Sequence, residues 1–205
     1  MISSGISSRF AIMAVAVLIS NIALSSFENP LQTHLANASK YIDREDYKKA
    51  LALYKGIEPS LTALSDILQA RIYNNMGFCA FKLRKFGEAA TYYRYALERN
   101  NGYVICLNNM AVLLMGQKKF QDAIIYLKRA DTIDAHNIKV IFNLTVCFGH
   151  LRNEREALSC LRRAFNLDEQ YTYRRLKSRF VSDKEIRKLR DQLETLERAG
   201  DENSR

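Results

Sequence analysis

The sequence predicts an all-α chain built as an array of antiparallel helix pairs, on three observations. The 205 residues include only 8 Gly and 2 Pro, about 5% together against roughly 12% in an average protein. A many-stranded sheet needs those residues for its turns and corners. Apolar residues recur at helical spacing through most of the chain. Small and large apolar residues also repeat at a fixed interval of about 34 residues, the signature of a repeat architecture.

In chain order, the first segment is 1–27. Residues 10–19 (FAIMAVAVLI) form an unbroken apolar run after Arg9, interrupted by Ser20 and Asn21 and resumed at Ile22–Leu24. Such a run fits the roughly 7–15 residues of a secretory h-region, with Ala23-Leu24-Ser25 offering small residues to a signal peptidase. It also fits an uncleaved membrane anchor running from Phe10 to Phe27, since a span takes about 20 apolar residues. Both readings make the chain membrane-associated or exported; the third alternative, less favoured, is a terminal helix of a cytosolic protein.

The repeats follow, over residues 31–168. Ala89, Ala123 and Ala157 are evenly spaced at that interval, as are Ala96, Ala130 and Ala164, with Tyr93, Leu127 and Leu161 between them. Met76, Met110 and Leu144 keep the same spacing, as do Gly77, Ala111 and Thr145. An earlier copy places Ala50 at the anchor with Tyr47 and Tyr54 around it, but lies further from Ala89 than the interval requires. The units read as 31–64, 70–103, 104–137 and 138–168. A small residue at the anchor lets two helices approach closely, and the large residues fill the gaps between units. No unit can bury its own face alone, so neighbours must stack. The extra residues of the first interval fall in Ser60–Gln69. There Leu61, Leu64, Ile67, Leu68 and Ile72 continue at helical spacing, which predicts one longer first helix over 61–83, with Ser60 or Thr62 as N-cap.

After Asp168 the repeat lapses. Residues 169–205 are expected to form a basic C-terminal segment with eight Lys and Arg between Tyr171 and Arg190. Ser182–Glu185 makes a capping box that opens a helix with Ile186, Leu189, Leu193 and Leu196 as its apolar stripe and Gly200 as C-cap. This helix caps the last repeat or joins two copies as a homodimer.

Period and residues together resemble the tetratricopeptide repeat family, whose unit is about 34 residues. The resemblance implies a right-handed superhelical α-solenoid in which the first helices of successive units line a concave groove for a partner peptide or helix. Carried onto this chain, that groove takes in Arg71, Asn74, Asn75, Phe78, Asn108, Asn109, Val112, Lys139, Phe142, Asn143 and Val146. The asparagines suit an extended backbone, because an amide donates and accepts together. Arg71 and Lys139 suit carboxylates, and Phe78, Phe81, Val112, Met115, Phe142 and Val146 supply apolar pockets. Some family members hold a chaperone's terminal carboxylate with a set of Lys, Asn and Arg. Here Asn109 and Lys139 match that set, while Phe78 and Asn143 depart from it. The family's turn Gly is replaced by Glu45, Arg84, Lys118 and Arg152, and its terminal Pro by Asn100-Asn101, Asp134-Ala135 and Asp168.

Charge and chemistry limit the function classes. The net charge of +9 is spread along the chain, which favours acidic surfaces in general and argues against a nucleic-acid partner. A ridge of Lys82, Arg84, Lys85, Lys118, Lys119, Arg152 and Arg155 stacks along the turns. Cys79, Cys106, Cys147 and Cys160 lack C-x-x-C spacing and read as small buried hydrophobes. His34, His136 and His150 lack metal-ligand spacing. Nucleophile-elbow, Walker A and dinucleotide motifs are absent. The expectation is a non-catalytic scaffold without cofactor or metal; the alternative is a chaperone-like module holding a secretion or assembly substrate.

Overall fold

The computed structural model describes residues 31–176, with Asp191 and Thr195. The expected leader or anchor in 1–27 and the expected helix from Ser182 to Gly200 lie outside the described residues. Among the described residues there is no strand, and no helix is long and apolar enough to cross a membrane. The chain divides between Leu64 and Ser65 into two compact units.

The first unit contains a helix over 31–43 (α1), the helix Tyr47–Ile57 (α2) and the 3-10 helix Glu58–Ala63. Asp46 caps α2, accepting from the backbone N–H of Lys49 and pairing with its ammonium at 2.8 Å. That contact holds the carboxyl below its ordinary pKa. Ala50, the expected anchor, is fully buried with Leu51 and Tyr54. The longer helix expected over 61–83 does not form. Pro59 lies in the first turn of the 3-10 helix, where a missing N–H costs nothing. Leu64 is extended (φ −96°, ψ 158°), and the helix restarts after Ser65. Leu61 and Leu64 are three positions apart, a spacing that fits a 3-10 turn as well as an α-helix.

The second unit is an α-solenoid of helix pairs. Asp66–Lys82 (α3) pairs with Phe86–Arg99 (α4), Val104–Gly116 (α5) with Phe120–Ile133 (α6), and Ile138–His150 (α7) with Glu154–Leu167 (α8). The core follows the repeat interval. Ala89, Ala123 and Ala157 are fully buried, as are Ala96, Ala130 and Ala164, and the Tyr93, Leu127, Leu161 series is buried with them. Three further positions show how size is matched across each pair. Gly77 faces the ring of Tyr93 so closely that an added Cβ would lie 2.6 Å from it. Where Leu127 and Leu161 replace the tyrosine, Ala111 and Thr145 stand in register with the glycine.

The turns lacking Gly and Pro are built in two ways. Within each pair the backbone turns left-handed at a charged residue: φ is 62° at Arg84, 60° at Lys118 and 58° at Arg152, as at Glu45 (58°) in the first unit. Each closes a Schellman motif, with Lys85 N–H donating to Ala80 C=O, Lys119 to Leu114 and Asn153 to Phe148, all at 2.9 Å. Between pairs, side chains brace the turn. Asn100 Oδ1 accepts from Gly102 N–H at 3.1 Å, and Asp134 accepts from His136 N–H and from the Asn137 amide. Arg129 and Arg163, one repeat apart, each donate back to a turn carbonyl, of Asn101 and Ala135 respectively. Arg163 also makes a bidentate pair with Asp131 at 2.7 and 3.0 Å.

The helix Glu169–Leu176 (α9) packs on α8. Asp168 caps it, accepting from Tyr171 N–H at 2.8 Å. Thr172 and Leu176 are fully buried; they stand in register with Ile138 and Phe142 of α7, so α9 occupies the place of a further first helix. The four cysteines are free and buried. Burial pushes the thiols of Cys79, Cys106 and Cys147 up to about 12 and that of Cys160 to about 11. Cys106 donates to the carbonyl of Tyr93 at 3.4 Å.

Candidate functional site

The first helices of the second unit, α3, α5 and α7, bring the expected groove residues together. Turn spacing sets which of them share a face: in α5, Ile105, Asn109 and Val112 follow at intervals of four and three. Arg71 and Lys139 are exposed, and Asn75, Phe78, Asn108, Asn109 and Val112 are half-buried. Phe81 and Met115 are half-buried as well.

The asparagines are committed differently from the open ladder expected for a partner backbone. The Asn109 amide donates to Asn74 Oδ1 at 2.9 Å, and the Asn143 amide donates to Asn108 Oδ1 at 2.8 Å. Asn74 in turn donates to Asn75 Oδ1 at 3.4 Å. Asn74 and Asn143 are buried. These amides therefore tie α3 to α5 and α5 to α7, satisfying groups that would otherwise be costly to bury. Asn108 and Asn109, at the partly exposed rungs, each retain further donor or acceptor capacity.

At α7 the face closes. Phe142, Asn143 and Val146 are buried, and the guanidinium of Arg175 in α9 lies 5.1 Å from the Phe142 ring centre, a cation–π distance. Phe142 and Val146 join the core cluster that includes Leu176. The accessible part of the face thus runs over α3 and α5 and ends at Lys139.

One residue of that face escaped the sequence reading. Ile105 is 56% exposed and stands in the same repeat register as Arg71 and Lys139. The rim therefore presents cation, apolar residue and cation in succession; the register that located Arg71 and Lys139 was sufficient to find it. Arg71 also acts on Tyr103, whose phenol burial pushes up while the nearby guanidinium pulls it down. On Phe78 the ammonium of Lys82 lies 5.6 Å from the ring centre.

Among the described residues no group of three His, Cys, Asp or Glu is placed to hold a metal ion. His150 stacks on Phe120, with ring centres 4.2 Å apart.

Comparison with known proteins agrees with this architecture. Tetratricopeptide repeat models match residues 70–103 and 105–137. Among solved structures, MamA residues 41 to the end from Desulfovibrio magneticus RS-1 is 12% identical, with a TM-score of 0.59 over 80% of this chain and 95% of that one. YrrB, described as a TPR protein with an unusual peptide-binding site, is 18% identical, with a TM-score of 0.57 over 77% and 81%. The first TPR of Spaghetti (RPAP3), solved with an HSP90 peptide, is 20% identical, with a TM-score of 0.53 over 62% and 94%. At these identities the likeness is one of fold. With repeat models on two successive helix pairs and a third pair built in the same register, the chain is a tetratricopeptide repeat protein over these residues.

Proposed function

We propose that this protein is a non-catalytic adaptor of a membrane-associated or exported complex, and that a partner peptide or helix docks on the α3–α5 face. The observation that carries the proposal is the accessible row of Arg71, Ile105 and Lys139 above Asn75, Phe78, Asn109 and Val112. Apolar surface flanked by cations suits an amphipathic partner with carboxylates beside an apolar anchor. YrrB has a peptide-binding site and the Spaghetti repeat was solved with a peptide, which supports reading this face as one for protein partners. The membrane part of the proposal rests on the apolar run of residues 10–19.

The test is affinity purification with mass spectrometry from membrane and soluble fractions, comparing the native chain with Arg71→Glu plus Lys139→Glu. Both side chains are exposed, so the variant should fold normally. The expected result is one or more stoichiometric partners of the native chain that the variant loses at least tenfold. Equal recovery by both proteins removes the groove reading. The mass of the N-terminal peptide from the same sample distinguishes a cleaved leader from an anchor.

A further inference from the structure

We propose that the edge formed by the α3–α4 and α5–α6 turns is a docking surface for an anionic phospholipid membrane. Each turn carries two adjacent cations, Arg84-Lys85 and Lys118-Lys119, and all four are exposed. A backbone or capping preference runs against each of them, although the helix C-termini favour the charge of Arg84 and Lys118. Arg84 and Lys118 occupy left-handed backbone (φ 62° and 60°), where glycine is the unstrained residue. Lys85 and Lys119 are the N-cap residues of α4 and α6 and make no capping hydrogen bond. That position prefers an acceptor side chain, and the positive end of the helix dipole repels an ammonium.

The chain does place suitable caps elsewhere. Asp46 caps α2, and Asn137 accepts from Val140 N–H at the start of α7. Two equivalent turns therefore break the same two local rules, and each break leaves positive charge on the same edge. The left-handed position is charged in all four turns, Glu45 and Arg152 included, so what sets these two turns apart is the second, adjacent cation at an N-cap. Nearby carboxylates offset part of the charge: Glu88 pairs with Lys85 at 3.2 Å, and Asp122 lies in the first turn of α6. In the third turn Arg152 and Arg155 are matched along the chain by Glu154 and Glu156, so the excess belongs to the first two turns.

Two further features favour a lipid surface over a nucleic acid. Phe86 opens α4 directly after Lys85 and is 39% exposed, its ring 5.8 Å from Phe81. An exposed aromatic among cations suits the headgroup boundary. The corresponding ring of the second turn, Phe120, is stacked on His150 and so is engaged rather than offered to a base. An uncleaved anchor in residues 10–19 would keep the chain at a membrane, where cations add attraction to anionic lipid. The choice of lipid rests partly on that membrane reading.

The experiment is co-sedimentation of the full chain with vesicles of phosphatidylcholine alone and of phosphatidylcholine with phosphatidylserine. Taking the ratio of the two affinities removes any contribution of the N-terminal apolar run. The variants are Arg84→Gly plus Lys118→Gly, and Lys85→Asp plus Lys119→Asp. The anionic-over-neutral ratio should fall about fivefold for each cation removed, while the thermal midpoint of the glycine variant rises. An unchanged ratio overturns the proposal. So does a variant that loses affinity for polyuridylate RNA while its vesicle ratio stays constant. Weak binding of the native chain to neutral vesicles with an intact ratio speaks against the N-terminal anchor alone and supports the edge.

Discussion

Gly77 and Tyr93 show how closely single residues are matched in this solenoid. A methyl at position 77 would lie 2.6 Å from the tyrosine ring, and the ring is buried, so neither side can give way freely. Gly77→Ala should destabilise the fold by about 2 kcal/mol, the usual range for overpacking. Tyr93→Leu in the same chain should recover part of that loss, because the two equivalent pairs combine Ala111 with Leu127 and Thr145 with Leu161. A double-mutant cycle in urea checks both expectations. The amide links give a second test at this scale. Asn143→Ala removes the donor to Asn108 and should cost about 1 kcal/mol in the same assay. The positions of these residues were legible in the repeat register. The direction of the amides was not, because it depends on how far α5 and α7 are rotated about their axes, which spacing within one helix does not fix. The cysteines respond to pH. Their folded pKa values lie above the ordinary 9.0 because burial disfavours the thiolate, so above pH 9 the unfolded chain loses protons that the folded chain keeps. The thiol contribution should be constant below pH 9, and stability should fall as pH rises from there towards about 12, as followed by urea midpoints. Replacing all four by Ala should reduce that slope and leave the part due to Tyr93 and Tyr103, whose phenols burial also raises.

At the scale of elements, the turns within pairs are the informative feature. Lys118→Gly and Arg152→Gly should each raise stability by about 1 kcal/mol, since φ near 60° suits glycine and strains a residue with a Cβ. Glu45→Gly should gain at least as much in the first unit, because it also removes a negative charge from a helix C-terminus. Thermal midpoints decide between this and no change. The missing glycines were visible in the sequence and located these turns correctly. Two other elements were misread for physical reasons. Leu61 and Leu64 satisfy a 3-10 period as well as an α period, so apolar spacing alone joined the Glu58–Ala63 turn to α3. In α9, Arg174 and Arg175 follow a sequence with few apolar residues, and the buried pair Thr172 and Leu176 is too sparse for periodicity to register. Their alignment with Ile138 and Phe142 was the signal available.

Across the second unit, the amide links and the packing of α9 divide one continuous first-helix face into two parts. Over α3 and α5 the side chains of this face other than Asn74 remain half-buried or exposed, whereas at α7 Phe142 and Val146 belong to the core and Arg175 lies over the phenylalanine ring. The family resemblance supplied the face as a whole; the closed end depends on a helix that the repeat pattern had not included. A partner is therefore expected to engage Arg71, Ile105 and Lys139 and to leave Val146 untouched. Site-specific photocrosslinking tests this most directly, with the reactive residue placed at Ile105 on the groove side or at Ile125 on α6, which is 66% exposed. A partner crosslinked from position 105 and not from position 125 is the predicted result. Crosslinking from 125 alone would contradict the account and move the binding surface to the second helices.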